Sequence, residues 1–336
     1  MIASVAPDPA GAVGPDWTFS VVFATFRWAG YVGLALLAGG LMFLVACWSD
    51  GFRDRRVRRV LLAGWLVSMV SAIAVLPLQG IYLAGGSLST PYSAALLEAT
   101  LQLDYGRYVV ARIVLLVVGG FLLALAVRDR PRSAVRAPRT ISAVVLGLVL
   151  PVTWAGTGHA NASGELTVPI AHVAHLVTST CWLGGLTVLL FCVFRQDGTA
   201  SEEEVGRVVA RFSRVAAACV ATLAATGVYR VLRDVGSVGE LAGSTYGALL
   251  VFKIAAVVLV VWFGSMSRAV VRTRFSFRAA GAAAAGGGGR RGNRADRGAG
   301  GVPIASLRWS VLAEALIVLV VLGVTAVLVA TPIGSH

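Results

Sequence analysis

Apolar and polar positions along this chain fall into long hydrophobic runs separated by short, arginine-rich stretches. Runs long enough to cross roughly 30 Å of hydrocarbon occupy residues 21–48, 58–84, 108–128, 140–157, 168–194, 211–232, 247–267 and 309–331. The pattern predicts an all-α, polytopic membrane protein of eight transmembrane helices. The first run does not read as a signal peptide. Nothing before it is basic, it is too long for an apolar signal core, and RDRRVRR at 53–59 follows it directly. It is expected to be a retained helix.

Composition agrees with a bilayer as the solvent: 57% of residues are hydrophobic and 13% charged, with a mean hydropathy of +0.81. Charge then orients the helices. All but six of the 29 Lys and Arg residues lie in or beside the segments 49–57, 129–139, 195–210 and 268–308, the exceptions being Arg27, Arg107, Arg112, Arg230, Arg233 and Lys253. Those four segments fall on one side of an eight-helix topology, so the basic loops face the cytoplasm and both termini face outward. The net charge of +13 therefore reports orientation and contact with anionic membrane lipids, and no nucleic-acid partner is expected. Residues 279–306, rich in Gly, Ala and Arg, read as a flexible cytoplasmic linker. No phosphate-binding loop, Ser-His-Asp set or paired-carboxylate site is present in the sequence, so an enzyme is not expected.

The chain also repeats itself. DYGRYVVARI at 104–113 and TYGALLVFKI at 245–254 share Tyr-Gly and a later basic residue, Arg112 in one and Lys253 in the other. Gly80-Ile81-Tyr82 matches Gly227-Val228-Tyr229, and Gly39-Gly40-Leu41 matches Gly184-Gly185-Leu186. These landmarks keep their order at offsets of 141 to 147 residues, as expected for tandem four-helix units at 1–157 and 158–336. An even number of helices per unit gives both copies one orientation, hence two parallel repeats.

The repeat sets off the histidines. Aligning the Gly-Gly-Leu triplets places Arg27 opposite His172 and Gly30 opposite His175, so only the second copy carries imidazoles. His172 and His175 are three apart and share a helix face. His159, at the outer end of the preceding helix, is joined to theirs by a short loop, and all three rings are expected at one shallow depth below the outer surface. A single imidazole there would be read as a hydrogen-bonding group. Three within 159–175 favour a transition-metal site built by at least two of them. Arg27, Arg112 and Lys253 occupy the outer thirds of their helices, where long side chains snorkel to the headgroups. Asp104, with Glu98 and Glu165 as alternatives, is the expected partner for these cations. Cys47, Cys181, Cys192 and Cys219 show no CxxC spacing and read as apolar filler. Trp182 is expected to pack against a neighbouring helix or to wall the histidine site.

GHA at 158–160, HLVTSTCWLGGL at 175–186, RFSRV at 211–215, ATGVYRVL at 225–232, STYGALLVFK at 244–253 and LRWSVLAEALIVL at 308–320 resemble, in order, the copper resistance protein D (CopD) family of bacterial inner-membrane proteins. The resemblance covers nearly the whole chain and is densest from 158 to 331. It implies an eight-helix protein of the bacterial cytoplasmic (inner) membrane that moves copper, as Cu(I) or Cu(II), inward, with a CopC-like extracytoplasmic carrier as partner. By that resemblance His159 falls on the GHA histidine and His175 on the one before the Trp-x-Gly-Gly stretch, whereas His172 stands where relatives often carry an acid. A second reading stays open at this point. Two imidazoles from neighbouring helices also form the axial pair of a b-type haem in membrane electron-transfer bundles. Docking of a copper carrier without transport is a third.

Overall fold

The computed structural model describes residues 17–87, 89, 93–127, 136–156, 167–194 and 202–234. The expected helices at 247–267 and 309–331, the linker 279–306, His159, Glu165 and Lys253 lie outside the described residues. Within them the chain is helical, with no strand. The elements are α1 (Trp17–Leu34), α2 (Gly40–Ala46), α3 (Arg55–Leu83), α4 (Ala94–Gln102), α5 (Asp104–Val127), α6 (Arg136–Ala155), α7 (Thr167–Val188) and α8 (Glu202–Asp234). A π-helical turn at Ala35–Gly39 fuses α1 and α2 into one span, and a second at Leu189–Val193 extends α7. Five of the resulting helices are long and apolar enough to cross a membrane, Trp17–Ala46, Arg55–Leu83, Asp104–Leu122, Thr167–Val193 and Glu203–Tyr229, and a shorter apolar helix runs over Thr140–Ala155.

Local chemistry explains where these helices begin and end. Asp54 caps α3, its carboxylate accepting from the amides of Arg56 at 2.7 Å and Val57 at 3.4 Å, which satisfies donors the first turn would otherwise leave open. At the other end of α3, Gly85 and Gly86 take φ of 107° and 69°, values that favour glycine, so the chain turns there. Ser93 caps α4 by accepting from the Leu96 amide at 3.3 Å. A search for membrane-length apolar runs passes over α4, because its nine residues are too few to span.

The core lies where α1, α2 and the first π turn meet α3, α6 and α7. Leu37, Leu41, Leu44, Leu150 and Val188 are fully buried there. Close approach of backbones replaces large side chains at the central contact, as is usual for helices packed in lipid. A Cβ added to Gly39 would strike the Thr180 carbonyl and lie 3.0 Å from Gly184 Cα, and one added to Gly184 would strike the Ala35 carbonyl and lie 2.6 Å from Gly39 Cα. Further ties are polar. Trp65 Nε1 donates to the Leu116 carbonyl at 2.7 Å, joining α3 to α5, and Trp48 Nε1 donates to Glu204 Oε1 at 2.8 Å, joining the end of α2 to the start of α8.

Candidate metal centre

His172 and His175 sit in the second and third turns of α7 and are half-buried. Their three-residue spacing puts their Cβ atoms about 5–6 Å apart on one helix face. α8 packs antiparallel along α7 and supplies His175 with a fixed partner, because its Nδ1 lies 2.9 Å from Thr226 Oγ1. The direction of that bond follows from the threonine. Thr226 Oγ1 donates its only proton to the Thr222 carbonyl at 2.7 Å, with Leu223 O at 3.2 Å as a second acceptor. Its oxygen is thus left to accept from His175 Nδ1–H. In the tautomer that suits this bond Nδ1 carries the proton, and Nε2 is the nitrogen of a type that binds metals. His172 and His175 thus share one stretch of α7, while His159 lies outside the described residues. No cluster of three His, Cys, Asp or Glu side chains forms among the described residues.

The supporting residues differ from expectation. Arg112 does not snorkel: it is 3% exposed and faces the interior between α5 and α6. Its Nη2 donates to the Thr153 carbonyl at 2.8 Å and its Nε to Thr153 Oγ1 at 3.2 Å, while the guanidinium carbon lies 3.5 Å from the centre of the Trp154 ring. Planar stacking on an indole with two directed hydrogen bonds is a site only an arginine fills well. Asp104 does not neutralise a buried cation either. It pairs with Arg107 at 3.5 Å, one turn along α5, and both side chains are largely exposed. Glu98 is exposed on α4. Arg27 rests over the Phe23 ring at 5.5 Å. Trp182 is buried in the main core cluster, seven residues past His175, and packs against neighbouring helices there. Lys253, expected to match Arg112, lies outside the described residues.

One feature escaped a reading of the sequence. Thr226 carries no motif and gains its role only when α8 lies against α7.

Comparison with known proteins adds identity to this geometry. The family described as copper resistance protein D matches residues 206–328, and its companion, the copper resistance protein D-like N-terminal domain, matches residues 16–168. The chain is similar to the inner membrane protein YebZ of Escherichia coli (strain K12), 28% identical over 211 residues that span 62% of this chain and 68% of that protein. It is also similar to the copper resistance protein D of Pseudomonas syringae pv. tomato, 32% identical over 137 residues, 39% of this chain and 44% of that one. No solved structure matches. With the two family models falling in chain order at residues 16–168 and 206–328, this helical membrane protein belongs to the copper resistance protein D family.

Proposed function

We propose that this protein carries copper inward across the bacterial cytoplasmic membrane. The ion enters through an outer-leaflet site built by His159, His172 and His175 after delivery by a CopC-like extracytoplasmic carrier. The observation that carries this reading is the bond between His175 and Thr226. It is the arrangement that turns an imidazole into an oriented metal ligand, with the second nitrogen held by a hydrogen bond from the scaffold. His172, one turn outward on the same face, is the neighbour a second bond to the ion needs. The names and family of the relatives, which are copper-resistance and inner-membrane proteins, support copper as the cargo.

The architecture in this reading is eight helices in two parallel four-helix repeats, 1–157 and 158–336, with both termini outside. The central glycine contact supports it. Under the offset that aligns the Gly-Gly-Leu triplets, Gly39 is equivalent to Gly184 and Ala35 to Thr180. Gly39 abuts Thr180, and Gly184 abuts Ala35. Reciprocal contact between equivalent positions is what a two-fold axis along the membrane normal produces. The b-haem reading would pair His159 of the preceding helix with His172 or His175, and His159 lies outside the described residues.

Reconstitution into lipid vesicles tests the proposal. Copper accumulation is measured for the parent protein and for the H159A/H172A/H175A variant. The expected result is metal uptake by the parent and a loss of at least ten-fold in the variant, with a preparation that shows no Soret band. Equal uptake by both, or stoichiometric haem in the purified protein, refutes it.

A further inference from the structure

The first copy of the repeat has its fourth helix in place. α6 packs on α2 and on α7, and Gly147 marks its closest approach: a Cβ there would lie 2.6 Å from Met42 Cγ and 3.5 Å from the Ala38 carbonyl oxygen. Two turns further out, the Trp154 ring comes within 3.6 Å of a Cβ built on Gly30, whose other neighbour is Ser71 of α3. The second copy is only half covered. His175, the equivalent of Gly30, has its neighbour on the second helix, Thr226 of α8. Thr187, the equivalent of Met42, is half-buried. From 167 to 179 no residue of α7 is buried, whereas the matching stretch of α1 buries Phe23, Gly30, Gly33 and Leu34.

The sequence supplies an occupant for that face. Val144-Val145-Leu146-Gly147 of α6 recurs as Val320-Val321-Leu322-Gly323, and a second glycine follows eleven residues later in each, Gly158 and Gly334. The offset here is 176 residues against 145 for the Gly-Gly-Leu triplets, because the segment 268–308 is 30 residues longer than its counterpart 129–139. Size complementarity agrees with the alignment. The counterparts of Trp154 and Gly30 are Ala330 and His175. Large meets small in one copy and small meets large in the other, as close packing requires of two side chains that share one space.

Resting on the two-repeat architecture of the copper reading, we propose that helix 309–331 docks on α7 as α6 docks on α2, with Gly323 over Leu183 and Thr187 and Ala330 against His175. The axis that relates Gly39 to Gly184 carries α6 onto this position. The consequence for the site is direct. Ala330 leaves open the space that Trp154 fills in the first copy, so the last helix walls the histidine site and residue 330 sets its size.

Disulfide cross-linking of the full chain in lipid nanodiscs tests the register, in a background with Cys47, Cys181, Cys192 and Cys219 replaced by alanine. The M42C/G147C pair, in contact in the first copy, is the positive control. T187C/G323C should cross-link within one chain to a similar extent, and T187C/V321C, whose second thiol points about 200° away round the helix, at least five-fold less. Failure of T187C/G323C beside a linked control overturns the docking, as does equal linking of the two T187C pairs. A link that forms only between chains puts a second copy on this face and overturns it too. Thermal unfolding of variants in the parent background gives an independent reading. Ala330→Trp should lower the midpoint by about 3 °C or more by overfilling the space beside His175, while A330W/H175G, which rebuilds the pair found in the first copy, should unfold no lower than H175G. A330W without effect, or an equal loss with and without H175G, overturns the register. Neither measurement needs copper, so the two proposals fail separately. Linking as expected in a protein that moves no copper overturns the transport reading and leaves the docking standing. Normal uptake by a protein whose T187C/G323C pair stays unlinked does the reverse.

Discussion

The contact between Gly39 and Gly184 yields a prediction whose size follows from the geometry. In Gly184→Ala the new methyl carbon would sit 2.5 Å from the Gly39 carbonyl carbon and 2.6 Å from its Cα. Carbon atoms rest about 3.5–4.0 Å apart, so the two helices must separate by about 1 Å. Backbone lies on both sides, and no side-chain rotation relieves the overlap. A gap of that width forfeits up to about half of the dispersion energy of each atom pair it opens, and overpacking of this kind costs about 1–3 kcal/mol. Gly227 is the internal control, since a Cβ there meets nothing within 4 Å. Gly227→Ala should be neutral, or stabilising by up to about 1 kcal/mol through helix propensity. Thermal unfolding of the purified variants in one detergent measures both. A clearly lowered midpoint for Gly184→Ala beside an unchanged or raised one for Gly227→Ala is expected. If Gly184→Ala unfolds with the parent, backbone contact at this joint does not hold the two spans together.

Three further outcomes are expected. Thr226→Val, which keeps the shape but removes the acceptor for His175 Nδ1–H, should weaken copper binding about 10–100-fold, as loss of an outer ligand partner does; Thr226→Ser should restore it, and equilibrium copper titration decides. Arg112→Lys should destabilise by about 1–3 kcal/mol, because an ammonium lacks the plane that lies on Trp154 and the fork that reaches Thr153, and a variant as stable as the parent in detergent unfolding would remove that account. Asp54→Ala should cost about 1 kcal/mol through the lost cap of α3, seen as faster hydrogen exchange at Arg56 and Val57 with the rest of the helix unchanged.

The spans from 21 to 194 were readable to within a few residues, because burying backbone in hydrocarbon demands long unbroken apolar stretches and little else mimics them. Helix α8 begins nine residues earlier than its apolar run, at Glu202, since the polar stretch EEEVGRVVA is helical too and a hydropathy scan sees only the part that needs lipid. Arg112 shows a different limit. Its depth was evident, but the side of α5 it occupies is decided by α6, and Thr153 and Trp154 draw it inward. Asp104 follows the same logic in reverse, since Arg107 lies one turn away while Arg112 lies two. For the candidate site, the shared face of His172 and His175 was legible from their spacing. The contact of His175 with Thr226 was not, because it depends on a helix 51 residues downstream and on its register.

The buried guanidinium of α5 also bears on how the protein is made. Its partners on α6 come 41 residues later in the chain, so a newly synthesised α5 meets the lipid with a charge that, in the outer third of the helix, costs less than the about 2.5–3.5 kcal/mol of the bilayer centre on insertion scales but is still unfavourable. Only the arrival of Thr153 and Trp154 removes that penalty. Biogenesis should accordingly deliver α5 and α6 to the membrane together as a hairpin, with the tighter of its two arms fastened last.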